Sequence, residues 1–205
     1  MHISWLGQTC VKLQTKNLEQ DGLIIIDAYK PKTGSFPRSF TPEVALFSQG
    51  QDEEAATLSQ NPFIIKTAGE FDIKNIVIHS LPVGPDNFIF KIMAEGISIV
   101  HLGRLNRALE NGELEAIMNP DILFIPVGGA PTYMDAKTAA ALANSLEPRV
   151  IIPIGHKCDT DPASKSISVF ISEIGLKPEK EENKIIIKKK DLPQDETKLI
   201  VLEKE

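Results

Sequence analysis

The chain has 205 residues, 42% hydrophobic and 24% charged, with a net charge of −6 and an isoelectric point near 5.3. That length and composition suit a soluble globular protein read as one domain over residues 1–205. The acidic balance argues against nucleic acid as the main partner, and the longest apolar runs, residues 23–26 and 97–100, are far too short to cross a bilayer.

In chain order, residues 1–13 alternate loosely as a strand. Residues 23–27 are a continuous apolar run ending in Asp27, the pattern of a strand buried on both faces. Residues 31–42 carry Pro, Gly and Ser and read as a loop. A strand at 44–47 runs into a polar cluster, followed by a helix-like stretch at 54–58. Residues 63–66 and 73–81 read as strands. Strands at 88–93 and 97–102 flank the turn signal Ala94-Glu95-Gly96. Residues 107–118 have helical periodicity.

The second half alternates. A core strand at 121–127 ends in Gly128-Gly129. A helix at 135–146 has an alanine-rich face and Asp135 as its cap. A core strand at 149–154 ends at Gly155. Asp161-Pro162 has the order of a cap and first-turn proline, so a further helix is expected there, closed by Gly175. Residues 184–190 and 198–202 read as a terminal hairpin whose lysines form a solvated edge. The N-terminal residues show no basic region followed by a long apolar stretch, so no secretory signal is read. Cys10 and Cys158 have neither metal spacing nor a disulfide framework, which suits free thiols in a reducing cytoplasm.

Sites in layered α/β proteins gather where core strands end. Those ends are Asp27, residues 48–54, residues 101–104, Gly128-Gly129 and Gly155-His156. The oddest reads Ser48-Gln49-Gly50-Gln51-Asp52-Glu53-Glu54: a core strand stops on two glutamines and three acids.

Set side by side, these segments carry a resemblance. Ile3-Ser4-Trp5-Leu6-Gly7-Gln8-Thr9-Cys10, Ile24-Ile25-Ile26-Asp27, Ala68-Gly69-Glu70-Phe71-Asp72-Ile73, His101-Leu102-Gly103-Arg104, Ile125-Pro126-Val127-Gly128-Gly129 and Glu147-Pro148-Arg149-Val150-Ile151-Ile152-Pro153 follow one another. In that order the chain resembles the metallo-β-lactamase fold superfamily, in particular its compact branch of zinc-dependent hydrolases related to sugar-phosphate lactonases. The resemblance implies an α/β fold, a four-layer αββα sandwich of two mixed β-sheets with helices on both outer faces.

The same resemblance implies where zinc ligands should stand. Relatives read Ser/Thr-His-x-His-x-Asp-His where this chain has residues 48–54. Both leading histidines are replaced, by Gln49 and Gln51. The aspartate and the last histidine are replaced by Glu53 and Glu54. The bridging aspartate corresponds to Arg104 and the C-terminal histidine to Gly155, with His156 next to it. Gln8 also stands where relatives carry histidine. Hydrolytic zinc needs several strong donors around an open position. Amides are poor donors, and arginine places a fixed cation at a metal position.

Neither a catalytic residue nor a metal ligand nor a cofactor is therefore assigned. The first reading is a member that has lost its zinc site and binds a small molecule or a protein partner there. Its pocket candidates are Gln8, Asp27, Asp52 and His156, together with the former metal positions. The alternative is a metal-dependent hydrolase of ester, lactone or phosphodiester substrates, with an oxygen-rich site for Mn²⁺, Mg²⁺ or Ca²⁺ at residues 52–54. An acidic triplet after a strand also suits a solvated helix start favoured by the helix dipole. A third reading, metal-free acid/base work by Glu53 or Glu54 with His156, has no motif behind it. Ligand identity and oligomeric state stay open at this level.

Overall fold

The computed structural model describes residues 1–16, 21–37, 39–50, 56–181 and 183–205. In chain order its strands are β1 His2–Trp5, β2 Val11–Lys16, β3 Asp21–Ile26, β4 Ser39–Phe40, β5 Val44–Leu46, β6 Thr57–Leu58, β7 Phe63–Ile65, β8 Gly69–Ile73, β9 Ile76–Pro82, β10 Phe88–Ala94, β11 Ile97–His101, β12 Ile122–Pro126, β13 Val150–Ile154, β14 Pro178–Glu181, β15 Ile185–Ile186 and β16 Lys198–Leu202. The helices are α1 Asn111–Ile117, α2 Ala136–Leu146 and α3 Ile167–Ile174.

Among the described residues the strands form two large mixed sheets. One has six strands in the order β15-β1-β2-β3-β5-β7, and the other eight in the order β14-β16-β13-β12-β11-β10-β9-β8. β1, β2 and β3 are antiparallel, whereas β3, β5 and β7 run parallel. In the larger sheet β9, β10 and β11 are antiparallel, and β11, β12, β13 and β16 are parallel. The α/β sandwich expected from the sequence is the observed architecture.

Its cause is legible strand by strand. In β3, Ile24 and Ile26 point into the layer between the sheets, and Ile25 points to the outer layer. In β12, Ile122 and Phe124 face the same inner layer, while Leu123 and Ile125 face the helices. A strand covered on both sides is therefore apolar at every position. Each such side chain contributes roughly 1.5–3 kcal/mol by leaving water. The described helices pack on the outer face of the eight-stranded sheet. Ala139, Ala140 and Ala143 of α2 let that helix approach closely. Tyr29, Phe36 and Phe40, with rings 4.4 and 5.7 Å apart in sequence order, cover the outer face of the six-stranded sheet.

Several local signals act as expected. Asp135 caps α2 by accepting from Thr138 N at 3.0 Å and Thr138 Oγ1 at 2.7 Å, a type of cap that stabilises by about 1 kcal/mol. Glu95 and Gly96 both have positive φ, 53° and 72°, the geometry of a tight hairpin turn. Gly175 closes α3 at φ 71°.

Other expectations fail, each for a tertiary reason. Residues 1–13 are two strands, split by a turn in which Leu6 N donates to Cys10 O at 2.9 Å. Residues 73–81 start a second hairpin, with Lys74 and Asn75 at positive φ between β8 and β9. Thr57 and Leu58 form a strand against Ser39 and Phe40 rather than a helix; residues 54 and 55 lie outside the described residues. Helix α3 starts at Ile167 with Ser166 as its cap, not at Asp161-Pro162. Asp161 instead accepts from Tyr133 Oη at 3.2 Å and Ser164 Oγ at 2.8 Å, so its carboxylate is already engaged. The terminal hairpin does not exist. β15 joins β1 in the smaller sheet, and β16 joins β13 and β14 in the larger one. Alternation fixes which face a strand buries, not which neighbour it takes.

Candidate functional site

The parallel strands bring their C-terminal ends to one rim of the sandwich. Asp27 follows β3 there, with φ 51°. Its Oδ1 accepts from Ser48 N and its Oδ2 from Ser48 Oγ, both at 2.7 Å. Ser48 leaves β5, so this double bond pins two strand exits together. Charge-assisted bonds of this length are the strong class.

His101 ends β11 and is fully buried. Its Nε2 donates to Thr9 O at 2.9 Å, and its Nδ1 accepts from Gly103 N at 3.1 Å. One nitrogen donates and the other accepts, so the ring is neutral. Burial lowers its pKa, opposed by the nearby Asp27 charge. Gly103 has φ 57°, and a Cβ there would lie 2.5 Å from Ser48 Cβ. Glycine is what lets the β11 exit touch the β5 exit.

Arg104 follows. Its Nη1 donates to Gln49 Oε1 at 3.1 Å and its Nη2 to Gln8 Oε1 at 3.0 Å. The guanidinium therefore bridges two amide oxygens from distant parts of the chain. The main-chain oxygen of Gln8 is engaged as well, accepting from Trp5 Nε1 at 2.8 Å and Gly155 N at 2.7 Å. Gly155, at φ 67°, lies under the ring of Tyr133, whose carbons would be 3.1–3.2 Å from a Cβ there. Tyr133 is itself buried, which pushes its phenol well above the usual tyrosine range.

Among the residues singled out from the sequence, Gln8, Gln49 and Arg104 meet in one hydrogen-bonded cluster. Asp27 shares the rim through Ser48. Gly155 joins through the Gln8 main chain. His156 does not join: its ring packs on Trp5 with centroids 4.1 Å apart, and it lines a separate cavity with Val201 and Leu202. Gln51, Asp52, Glu53 and Glu54, and with them the oxygen-rich metal site expected at residues 52–54 and the Glu53 or Glu54 acid/base partner of His156, lie outside the described residues. Among the described residues no three His, Cys, Asp or Glu side chains gather closely enough to hold a metal ion. Sequence reading placed Ser48 at a strand end without a partner, read Asp161 only as a helix cap, and missed Tyr133. The Gly128-Gly129 signal stood near Tyr133: a Cβ on Gly128 would collide with Gly155 O and lie 2.5 Å from the Tyr133 ring.

Comparison with solved structures places this geometry. A Thermotoga maritima protein assigned as a zinc-dependent hydrolase of the metallo-beta-lactamase superfamily is 25% identical, over 98% of this chain and 97% of its own, with a TM-score of 0.82. Igni18, a metallo hydrolase from Ignicoccus hospitalis, superposes with a TM-score of 0.63 at 14% identity, over 85% of this chain and 90% of its own. The metallo-beta-lactamase fold protein YhfI from Bacillus subtilis gives 0.57 at 8% identity, over 99% and 97%. The latter two share the fold. No curated protein matches the chain. The sequence profile of the beta-lactamase superfamily domain matches residues 2–155. With three quarters of its length in that match, the chain belongs to the beta-lactamase superfamily domain family.

Proposed function

We propose that this chain is a member of the superfamily that has given up its zinc site and binds a small molecule or a protein partner at the old site without catalysing hydrolysis. The observation that carries this reading is the Arg104 guanidinium, held between Gln8 Oε1 and Gln49 Oε1. By the resemblance, Arg104 stands where relatives carry the bridging carboxylate, and the two glutamines stand where they carry histidines. This donor set does not fit zinc. The amide oxygens are neutral, weak donors that already accept from a cation. The cation itself would repel a dication at the same place. The two thiols, Cys10 and Cys158, are both free, which supports a cytoplasmic setting in the same proposal.

The test is elemental analysis of the purified protein, as isolated and after equilibration with Zn²⁺ or Mn²⁺. Turnover of lactone, β-lactam and phosphodiester substrates is measured alongside. The expected result is zinc well below one ion per chain and no turnover above background. Stoichiometric zinc at the residue 49–54 loop overturns the reading. Mn²⁺-dependent turnover overturns it in favour of an oxygen-rich hydrolytic site at residues 52–54.

A further inference from the structure

The end of the sandwich opposite the Arg104 rim carries a cavity of about 840 Å³, within the size range of small-molecule sites. It lies where the parallel strands begin rather than where they end. Ser98, Asp121, Arg149 and Thr197 line it, each at or next to the start of β11, β12, β13 or β16. Glu147, at the end of α2, and Leu176, after α3, also border it.

One buried carboxylate organises this end. The Asp121 side chain is only 8% exposed. Its Oδ2 accepts from Ser98 N at 2.8 Å and from Lys189 Nζ at 2.6 Å, and its Oδ1 stands 3.5 Å from Arg149 Nε. Two cations share one carboxylate, which leaves a positive charge in excess beside the cavity. Both cations line it and stay accessible, with 36% of the Arg149 side chain and 50% of the Lys189 side chain exposed. Among the described residues the terminal amino groups of Arg149 have no acceptor, and neither cation is paired with a carboxylate other than Asp121. A guanidinium with free terminal amino groups is the planar fork that grips a carboxylate. The opposite charge stands elsewhere on the lining. Glu147, Asp195 and Glu196 are all exposed there, and none is ion-paired among the described residues. Met93, 37% exposed, and Leu176 add apolar surface. The side-chain amides of Asn119 and Asn144 line the same space without a hydrogen-bond partner among the described residues.

We propose that this cavity is a binding site, separate from the Arg104 cluster, for a zwitterionic di- or tripeptide with apolar side chains. The peptide's carboxylate meets the Arg149 fork beside Lys189. Its ammonium faces Glu147, Asp195 and Glu196. An apolar side chain covers Met93 and Leu176, and the peptide unit meets the amides of Asn119 and Asn144. The lining discriminates by charge and by size. A polyanion would meet three unpaired carboxylates. A simple amine would leave the Arg149 fork without an acceptor. A free amino acid would match both charges but leave most of the volume to water.

Met93 is one of four methionines in the chain, and its methyl group reports on this cavity directly. Met134, fully buried under the helices, is the internal reference. The experiment labels the methionine methyl groups of the intact protein with carbon-13 and assigns the Met93 signal with Met93→Leu. The protein is then titrated with leucyl-leucine, and with N-acetyl-leucyl-leucine and leucyl-leucine amide, which each lack one charge. Saturable movement of the Met93 signal, with a Kd below about 10 mM, is expected for leucyl-leucine, while Met134 stays in place. Each capped peptide should bind about tenfold more weakly, the loss of one charge-assisted contact. Arg149→Gln should weaken leucyl-leucine about tenfold. Because Arg149 also faces Asp121, the double variant Asp195→Asn with Glu196→Gln is measured beside it. Those are two exposed changes that spare the fold, and together they should weaken binding severalfold. Arg104→Ala should leave the Met93 titration unchanged, so this site stands or falls apart from the proposed function. No saturable Met93 shift with leucyl-leucine overturns the proposal. So does either capped peptide binding as well as leucyl-leucine, binding that is unchanged in the double variant, or binding lost in Arg104→Ala.

Discussion

Arg104 Nη2 donates to Gln8 Oε1 across 3.0 Å, which ties the turn after β1 to the exit of β11. The same guanidinium reaches Gln49, so one side chain joins three strand ends. Its partners among the described residues are neutral amides, and it is only half-buried. Arg104→Ala should therefore lower stability by about 1–2 kcal/mol, the scale of hydrogen bonds with one charged partner. For a chain of this size that is a fall in Tm of roughly 2–8 °C. Arg104→Lys should recover little, because a single ammonium does not span both amides. Thermal unfolding of the three proteins checks this. A loss of 3–5 kcal/mol in Arg104→Ala would instead signal a stranded buried carboxylate.

Gly103 is the contact point between the β5 and β11 exits. A Cβ would meet Ser48 Cβ at 2.5 Å and Oγ at 2.6 Å, on a backbone at φ 57°. Gly103→Ala adds a left-handed penalty of about 1 kcal/mol to a clash worth about 1–3 kcal/mol. Gly96 is the control. It also has positive φ, 72°, but nothing lies within 4 Å of its Cβ position. Gly96→Ala should cost only about 1 kcal/mol. Denaturant titration should show Gly103→Ala clearly the worse of the two. Equal losses would mean that the close approach at Ser48 relaxes without cost.

Asp27 accepts two bonds from one residue, Ser48. Asn at this position keeps the size but turns one acceptor into a donor facing Ser48. Asp27→Asn should cost about 1–3 kcal/mol, and Ser48→Ala, which removes only the hydroxyl bond, should cost less. Chemical denaturation of both variants is the check. An Asp27→Asn protein as stable as the parent would show that the carboxylate does not hold the rim together.

The fold was legible because burial on two faces leaves its mark on each residue. Ile24 to Ile26 and Ile122 to Ile125 read as core strands with no further information. Pairing is a property of distant residues, and there the reading failed. Residues 185–186 and 198–202 look like a hairpin by alternation alone, yet each finds a different sheet. Asp161-Pro162 has the local order of a helix start, but Tyr133 and Ser164 already bond its carboxylate. At the site, Gln8, Gln49 and Arg104 were named from substitutions against a known pattern, and the structure brings them together. His156 was grouped with them only because it adjoins Gly155. Beyond the β13 exit, with Gly155 at φ 67°, its ring packs on Trp5 instead. Tyr133 carried no motif; only its packing over Gly155 reveals it.

His156 should also set the acid limit of stability. Burial pushes its pKa down to about 4 from 6.5, because a charged ring would lose its water in a mostly apolar cavity. Above pH 6.5 the imidazole is neutral in the folded and unfolded chains alike, so it adds no pH dependence there. Below 6.5 the unfolded chain takes up a proton that the folded chain refuses until about pH 4. Stability therefore falls as pH drops through that window, at up to about 1.4 kcal/mol per unit and by about 3 kcal/mol in all. His101 is fully buried with its pKa also lowered, so it acts with the same sign. The clean interval is pH 5 to 6.5, above the range where the carboxylates titrate. Burial and nearby cations lower the His2 pKa as well, so His156→Phe removes one of three groups of the same sign and keeps the stack on Trp5. Its loss of stability between pH 6.5 and 5 should be markedly shallower than that of the parent, measured by urea titration at each pH. If both proteins lose stability equally over that interval, His156 is already protonated in the fold, and the dry environment assigned to it is wrong.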